Sequence, residues 1–321
     1  ISGSFDFFRN DITRLLGYAS TSPLAIYETR PINGGHYYRR GWELMVDTKN
    51  LVGEFTWDTS LTFSKTNSFW KERLPNYDYQ IYQQRENEPM SAYYYYNVTG
   101  IINTDRSNMP ESQKTLQAEA QLPGCPIIED KNKDGKIDEN DVYMKDNSPA
   151  IYVGIGNTFT YKRFEFSFFM YGQFGIQKYN IAYSAAQAGP LAVDYPENSN
   201  KFAYRLWNSQ TNPNGSRPGL TIGKMGALPG NAWVNADREN ASFMRMRNIT
   251  LAYNLAGNIL GSLQRYVRNI KVYVDAQNPF ILTKFQGFDP EIYTGGGGAS
   301  GGSRGEYPQT RTFSLGANIT F

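Results

Sequence analysis

The final eleven residues, 311–321, constrain the fold more than any other stretch of this chain. Phe313, Leu315, Ala317, Ile319 and Phe321 take every second position, and Thr312, Ser314, Gly316, Asn318 and Thr320 fill the gaps. Strand side chains alternate between two faces, so this segment presents one apolar face and one small, polar face. A soluble sandwich uses the same alternation, but its last strand rarely ends on an exposed Phe. A transmembrane barrel requires the pattern: lipid outside, water inside, and an aromatic at the interface.

Composition agrees once the barrel is considered. The chain has 321 residues, 40% of them hydrophobic, and a mean hydropathy of -0.56. No run approaches the roughly 18 apolar residues of a membrane-crossing helix. A barrel passes that test unseen, because half of each strand faces water. The 24 Tyr, 19 Phe, 5 Trp and 30 Gly suit interfacial girdles, turns and close strand contacts. A net charge of +2 argues against a nucleic-acid partner. Cys125 is the single cysteine, so an internal disulfide is impossible and a disulfide-stapled secreted module is disfavoured. The chain opens on Ile1 inside an apparent strand, without initiator Met or signal-peptide pattern, and reads as part of a longer polypeptide.

Period-two patterning predicts eight strands, at about 2–11, 35–47, 53–70, 150–161, 164–174, 243–255, 269–280 and 310–321. The third is the cleanest: Phe55, Trp57, Thr59, Leu61 and Phe63 alternate with Glu54, Thr56, Asp58, Ser60, Thr62 and Ser64. The gaps between strands run about 20, 5, 80, 2, 70, 13 and 25 residues, so long and short alternate throughout. Outer-membrane barrels sort their loops in this way, with short periplasmic turns on one rim and long extracellular loops on the other. With Phe321 at the periplasmic end, Lys162-Arg163 is a periplasmic hairpin turn, and 74–149, 177–242 and 286–306 face outward. The fold class is therefore all-β: across 1–321, about eight antiparallel transmembrane strands with long extracellular loops. Eight strands suffice for a small closed barrel, but the abrupt start and the large loops favour a share of a larger wall. The remainder of the polypeptide then closes the ring, since lipid tolerates no open sheet edge.

One chemical motif stands out. In Asp130-Lys-Asn-Lys-Asp-Gly-Lys-Ile-Asp-Glu-Asn-Asp141, Asp130, Asn132 and Asp134 occupy positions 1, 3 and 5 of an EF-hand-type calcium loop, and Gly135 the sharp turn at 6. Lys136 offers its carbonyl at 7, Ile137 is the apolar anchor at 8, Asp138 stands at 9, and Asp141 replaces the usual Glu at 12. Ca²⁺ is a hard cation wanting about six to eight oxygens, which alternating carboxylates round a glycine turn supply. The shorter Asp141 weakens bidentate binding, and no helical pattern flanks the loop. A polar loop held by Asx turns and Lys–Asp pairs fits the same residues without a metal.

Other features read more plainly. His36, the one histidine, lies beside Tyr37 and Tyr38 with no Cys/His cluster around it, which suits an interfacial or loop role better than catalysis. Tyr93–Tyr96 either stacks on sugar rings or peptide side chains, or packs its loop against neighbours. The glycine-rich 295–302 stretch lacks the Lys-Ser/Thr of a phosphate cradle and reads as a loop tip. Asp289 and Glu291 have no evident acid/base partner, and nothing in the chain suggests an enzyme.

The 130–141 loop followed by Ser148-Pro-Ala-Ile-Tyr-Val-Gly-Ile-Gly-Asn-Thr-Phe-Thr-Tyr-Lys-Arg-Phe-Glu-Phe-Ser-Phe-Phe169 resembles the SusC-like TonB-dependent transporters. So do Phe243-Met-Arg-Met-Arg-Asn-Ile-Thr-Leu-Ala-Tyr-Asn254, Val272-Tyr-Val-Asp-Ala-Gln-Asn278, Gly287-Phe-Asp-Pro-Glu291, and Tyr307-Pro-Gln-Thr-Arg-Thr-Phe313 running to Phe321. The resemblance implies the C-terminal portion of a plugged barrel of about 22 strands, in the outer membrane of a Gram-negative bacterium. It further implies import of oligosaccharides or peptides, a SusD-like surface lipoprotein at the mouth, and energy from the TonB complex acting on an N-terminal region. No plug or TonB box is found in these residues, and substrate contacts are not motif-defined. The alternative from another class is a secreted, calcium-stabilised β-rich module for carbohydrate binding or adhesion.

Overall fold

The computed structural model describes residues 1–21, 29–74, 79–83, 87–179, 203–219, 228–229, 233–287, 289–291 and 309–321. Eight long strands form one antiparallel meander: β1 (Ser2–Ser20), β2 (Thr29–Leu51), β3 (Phe55–Glu72), β4 (Ile151–Tyr161), β5 (Phe164–Phe174), β6 (Phe243–Ala256), β7 (Asn269–Gln277) and β8 (Thr312–Thr320). Each pairs with the next in sequence, and a short strand, Ile281–Thr283, pairs with the start of β6. Among the described residues β1 and β8 are the two edges of the sheet. The eight strands therefore make an open wall, not the small closed barrel.

The alternation of each strand carries through the register. Trp57 sits opposite Phe159 and Leu61 opposite Ile155. Phe159 pairs with Phe166, Phe166 with Leu251, Leu251 with Val274, and Val274 with Leu315. One apolar face thus runs unbroken across β3 to β8, with hydroxyls, glycines and charges behind it. No protein core covers that face: Leu315 is 82% exposed, Phe313 75% and Phe7 70%. Trp57, Leu61 and Ile155 are only half-buried, alongside their strand neighbours. Aromatic rings crowd its short-turn end, where Phe159 stacks with Phe55, Trp57, Phe166 and Phe168 at 5.7–6.4 Å.

Connections differ sharply between the two rims. Residues 52–54, 162–163 and 257–268 make one rim, the last as a short 3-10 segment, Gly257–Arg265. The described parts of 73–150, 175–242 and 278–311 make the other. At the tightest turn Lys162 adopts φ 55°. The connection between β1 and β2 is shorter than the spacing suggested, because both strands run on past Asp11 and before Gly35. Arg14 and Gly35 face each other there with φ of 57° and 79°, and that irregularity breaks the period-two pattern the sequence would need to show.

A second irregularity sets the next level of structure. The β5–β6 register slips between Met246 and Asn248, a bulge that exchanges the faces of β6 beyond it. Arg245, in phase with Ile249 by simple alternation, consequently lies opposite Tyr171 on the polar side.

Residues 79–150 form a compact module with a soluble-type core. Tyr82, Tyr96, Leu116, Ala120, Ile128, Ile137, Val142 and Leu228 are all buried together. Its small sheet joins Ala92–Tyr96 to Tyr143–Asp146 in antiparallel sense and to Trp233–Val234 in parallel.

Candidate functional site

The run Tyr93–Tyr96 lies on the central strand of that small sheet, so its side chains divide between two faces. Tyr94 and Tyr96 point into the module core. Tyr96 is fully buried, and its hydroxyl lies 3.0 Å from both the Asp138 and Pro229 carbonyls, donating to one at a time. Burial, then the nearby Asp141 carboxylate, raises its pKa well above the usual phenol range. Tyr93 and Tyr95 form a ladder with Tyr143 at 5.3 and 5.7 Å between rings. Arg238 covers the Tyr93 end at 3.5 Å and Lys131 the Tyr143 end at 4.7 Å. A cation stands at each end of the ladder, so these half-buried rings already have partners within the chain.

The 130–141 loop folds on its own backbone. Asp130 Oδ2 accepts the Gly135 N–H at 2.9 Å, across a turn in which Gly135 holds φ 88°. Asn132 Oδ1 accepts from Asp134 N–H, and Asp134 Oδ1 from Lys136 N–H, both at 3.1 Å. Asp138 accepts the Asn140 N–H; that backbone donor is the main cause holding its carboxyl below the usual range. Lys136 Nζ is 3.4 Å from Asp138. Asp141, fully buried, accepts from Lys131 N–H through Oδ1 and from Asp138 N–H through Oδ2, each at 2.8 Å. Ile137 is buried in the module core.

For a cation, this arrangement divides the six residues singled out in the sequence. Among the described residues, no three His, Cys, Asp or Glu side chains converge on a point where a metal would sit. Asp141 acts as a clasp, with both oxygens engaged. Asp130 differs: its Oδ1 is buried and has no hydrogen-bond partner. That orphaned acceptor is the feature a bound cation would complete, with Asn132, Asp134 and the Lys136 carbonyl as neighbouring donors.

Asp289 and Glu291 acquire a partner that the sequence hid. Arg245 donates to both Asp289 oxygens at 2.6 and 2.7 Å, and its Nε lies 2.6 Å from Glu291. Tyr171 donates to Glu291, and Gln309 N–H reaches Asp289 at 3.4 Å. Arg245 and Asp289 are both buried. The cluster fastens the two feet of the 286–309 segment to the wall and has no acid/base geometry. The β6 bulge is what brings Arg245 to this side, and no period-two count reveals it.

Two concave surfaces among the described residues could receive a ligand. The polar face of the wall holds a trough of 530 Å³ bordered by Asp47, Lys49, Asp58, Ser60, Thr158 and Asn248. A cleft of 640 Å³ opens between 98–108 and 207–218, lined by Thr99, Asn103, Asn108, Trp207, Arg217 and Asn235. Within it Asn103 Oδ1 is buried without a partner. An indole, several amides and one guanidinium round a wet cleft suit a hydroxyl- or amide-rich ligand. The sequence reading missed this site, since its residues come from separate loops. His36 lies at the long-loop end of β2, 3.1 Å from Asp11. Cys125 is buried, and burial pushes its thiol up, which makes it inert. The 295–302 stretch and much of 177–242 lie outside the described residues.

No family model matches the chain. Curated relatives do. It is 25% identical over 310 residues to TonB-dependent receptor P3 of Formosa agariphila, and 27% identical over 297 residues to TonB-dependent receptor SusC of Bacteroides thetaiotaomicron. Each alignment takes in 90% of this chain but only 29% and 27% of the relative's own length. Its backbone also superposes on solved structures of the RagAB peptide transporter (TM-score 0.71, 19% identity) and of the RagAB peptide importer in a closed-closed state (TM-score 0.70, 17% identity). Both cover 99% of this chain and 33% of theirs. The resemblance to SusC-like TonB-dependent receptors holds. The fold is that of an outer-membrane β-barrel wall, left open at β1 and β8. The apolar face is accordingly the lipid face and the polar face the lumen side. A secreted soluble module would set the same Phe313 and Leu315 side chains in water. The matched relatives are receptors and importers, not enzymes.

Proposed function

We propose that this chain is the C-terminal wall and loop portion of an active importer. It carries a nutrient too large for a porin, an oligosaccharide or a peptide, across the outer membrane with energy from TonB. Further strands of the same polypeptide complete the ring at β1 and β8, as lipid requires. The long-loop rim, including 74–149 and 177–242, faces outward and receives a SusD-like lipoprotein; the 162–163 turn faces the periplasm. The observation that carries this reading is the two-faced wall with sorted rims, in alignment with SusC and RagAB along nine-tenths of its length. Trp207 and Arg217 of the 640 Å³ cleft supply ligand contacts.

The test is uptake of labelled oligosaccharide and peptide mixtures by cells with and without the gene, and with and without TonB. The expected result is one class of ligand whose uptake fails in both deletions and weakens about tenfold or more in Trp207→Ala, the loss of one stacking contact. Uptake that persists without TonB overturns the reading. The 130–141 loop is assigned one Ca²⁺, held at the orphaned Asp130 oxygen with Asn132, Asp134 and the Lys136 carbonyl; there it would stiffen the module and supply no chemistry. Calorimetric titration should show binding heat that Asp130→Asn and Asp134→Ala abolish, and no heat in the unmodified protein ends the assignment.

A further inference from the structure

Polar side chains interrupt the lipid face near the short-turn rim, and they are wired in one direction. The Thr48 hydroxyl donates to Asn50 Oδ1 at 2.9 Å, and Asn50 Nδ2 donates to Thr59 Oγ1 at 2.7 Å. Thr59 donates in turn to Asn157 Oδ1 at 2.7 Å, and Trp57 Nε1 donates to the same oxygen at 2.8 Å. Thr59 and Asn157 lie directly opposite each other on β3 and β4, and Thr48 opposite Thr59 on β2. Asn50 joins them because the β2–β3 register slips between Lys49 and Leu51, and such a bulge re-aims a side chain.

The indole N–H can only donate, so it fixes the Asn157 amide with its oxygen inward to the cluster. That choice propagates: Thr59 must donate to Asn157, so its oxygen accepts from Asn50. Hydrogens remain at the end of the chain. Asn157 Nδ2 makes no bond to the described residues, and it is not a buried atom. The second Asn50 Nδ2 hydrogen is likewise unused. Both amide oxygens and the Thr59 hydroxyl oxygen thus accept at least one hydrogen bond, while amide hydrogens are left over on residues of the lipid face. Unpaired N–H groups in hydrocarbon cost several kcal/mol, so the face calls for an occupant that accepts hydrogen bonds.

Depth identifies it. Asn157 stands five residues along β4 from Lys162, and Thr59 five along β3 from Glu54. A rise of about 3.3 Å per residue on strands tilted about 40° places both roughly 12–13 Å above the turns. That is the level at which the Trp57–Phe159 aromatic cluster meets the apolar band, where a bilayer presents ester and phosphate oxygens. These groups accept and never donate. Lys162 at the turn below brings a cation, 5.1 Å from the centre of the Tyr161 ring and in an exposed 3.7 Å pair with Glu54 that is readily exchanged.

We propose that Asn50, Thr59 and Asn157 form a binding site for one phospholipid of the leaflet on the short-turn side. The two asparagine amides hold its ester and phosphate oxygens, Lys162 faces the phosphate from the turn below, the Phe55, Trp57 and Phe159 rings flank the headgroup, and the acyl chains run past Leu61 and Ile155 toward midplane. The test uses the full-length protein purified in mild detergent and examined by native mass spectrometry, with phosphatidylethanolamine and phosphatidylglycerol added. The unmodified protein should retain one phospholipid per protomer, and Asn157→Leu should retain it about tenfold less well, as one lost hydrogen bond to a charged group implies. Asn50→Leu, at an exposed bulge, gives the same readout if Asn157→Leu fails to assemble. Equal retention by variant and unmodified protein, or none by either, overturns the proposal. So does a variant that loses self-association while its lipid content stays constant, because the occupant is then a second copy of the chain.

Discussion

The wall and the 79–150 module solve opposite problems with the same residue types. On the wall, large apolar side chains stand uncovered on one face: Phe313 and Phe7 are at least 70% exposed. In the module they turn inward: Tyr96 is fully buried and sits in a core that any water-soluble domain would have. The difference lies in the solvent. Hydrocarbon places no penalty on an exposed ring but forbids an unpaired N–H, so the wall closes its hydrogen bonds between strands and leaves its side chains uncovered. Water reverses both terms. Apolar burial alone would therefore identify only the module as folded protein and overlook the wall.

If wall and module are independent, a change that unfolds one leaves the other intact. The largest expected effect is Tyr96→Ala, which removes a fully buried ring and should cost the module about 3–5 kcal/mol. Hydrogen exchange should then rise across 92–146 while β3, β4 and β5 keep their protection; joint loss would mean that the wall depends on the module. Next is Leu315→Arg on the lipid face, which should cost roughly 2–4 kcal/mol near midplane and less toward a rim. Urea titration of the barrel in lipid vesicles measures it, and an unchanged midpoint would contradict the assignment of that face. The smallest effect is that of acid on the 130–141 loop. Asp138 is held below its ordinary value, chiefly by the Asn140 N–H, so its cap is fully present above the ordinary carboxylate range and is lost as pH falls through the depressed value. The protection factor of the Asn140 amide, referred to the intrinsic exchange rate at each pH, should drop as pH falls below the ordinary carboxylate value, before the module opens. If the wall strands respond in the same window, the two regions are not independent.

The wall was legible because its rules are local. Trp57, Leu61 and Phe63 announce a strand within one short window, and five of the eight strands begin and end within two residues of their expected limits. Where a bulge or a positive φ interrupted the period, as at Arg14 and Gly35, the pattern fell silent and the strands proved longer. The candidate sites were less legible for the same physical reason. Arg245 reaches Asp289 only because of one extra residue in β6, and Trp207 meets Asn103 across a cleft made by two loops about a hundred residues apart in sequence. The 130–141 loop was visible as a motif, yet the role of Asp141 as a backbone clasp was not, since the same carboxylate pattern serves either use.

The two long loops are also stitched into one body. Asn235 bonds both Val98 N–H and Asn97, Trp233–Val234 extends the small sheet, Arg238 caps Tyr93, and Gly219 N–H meets the Gly124 carbonyl. Neither loop can thus be exchanged alone. A chimera that borrows 73–150 from a relative must borrow 175–242 with it, and a lineage that retunes its mouth for a new cargo must alter both stretches together.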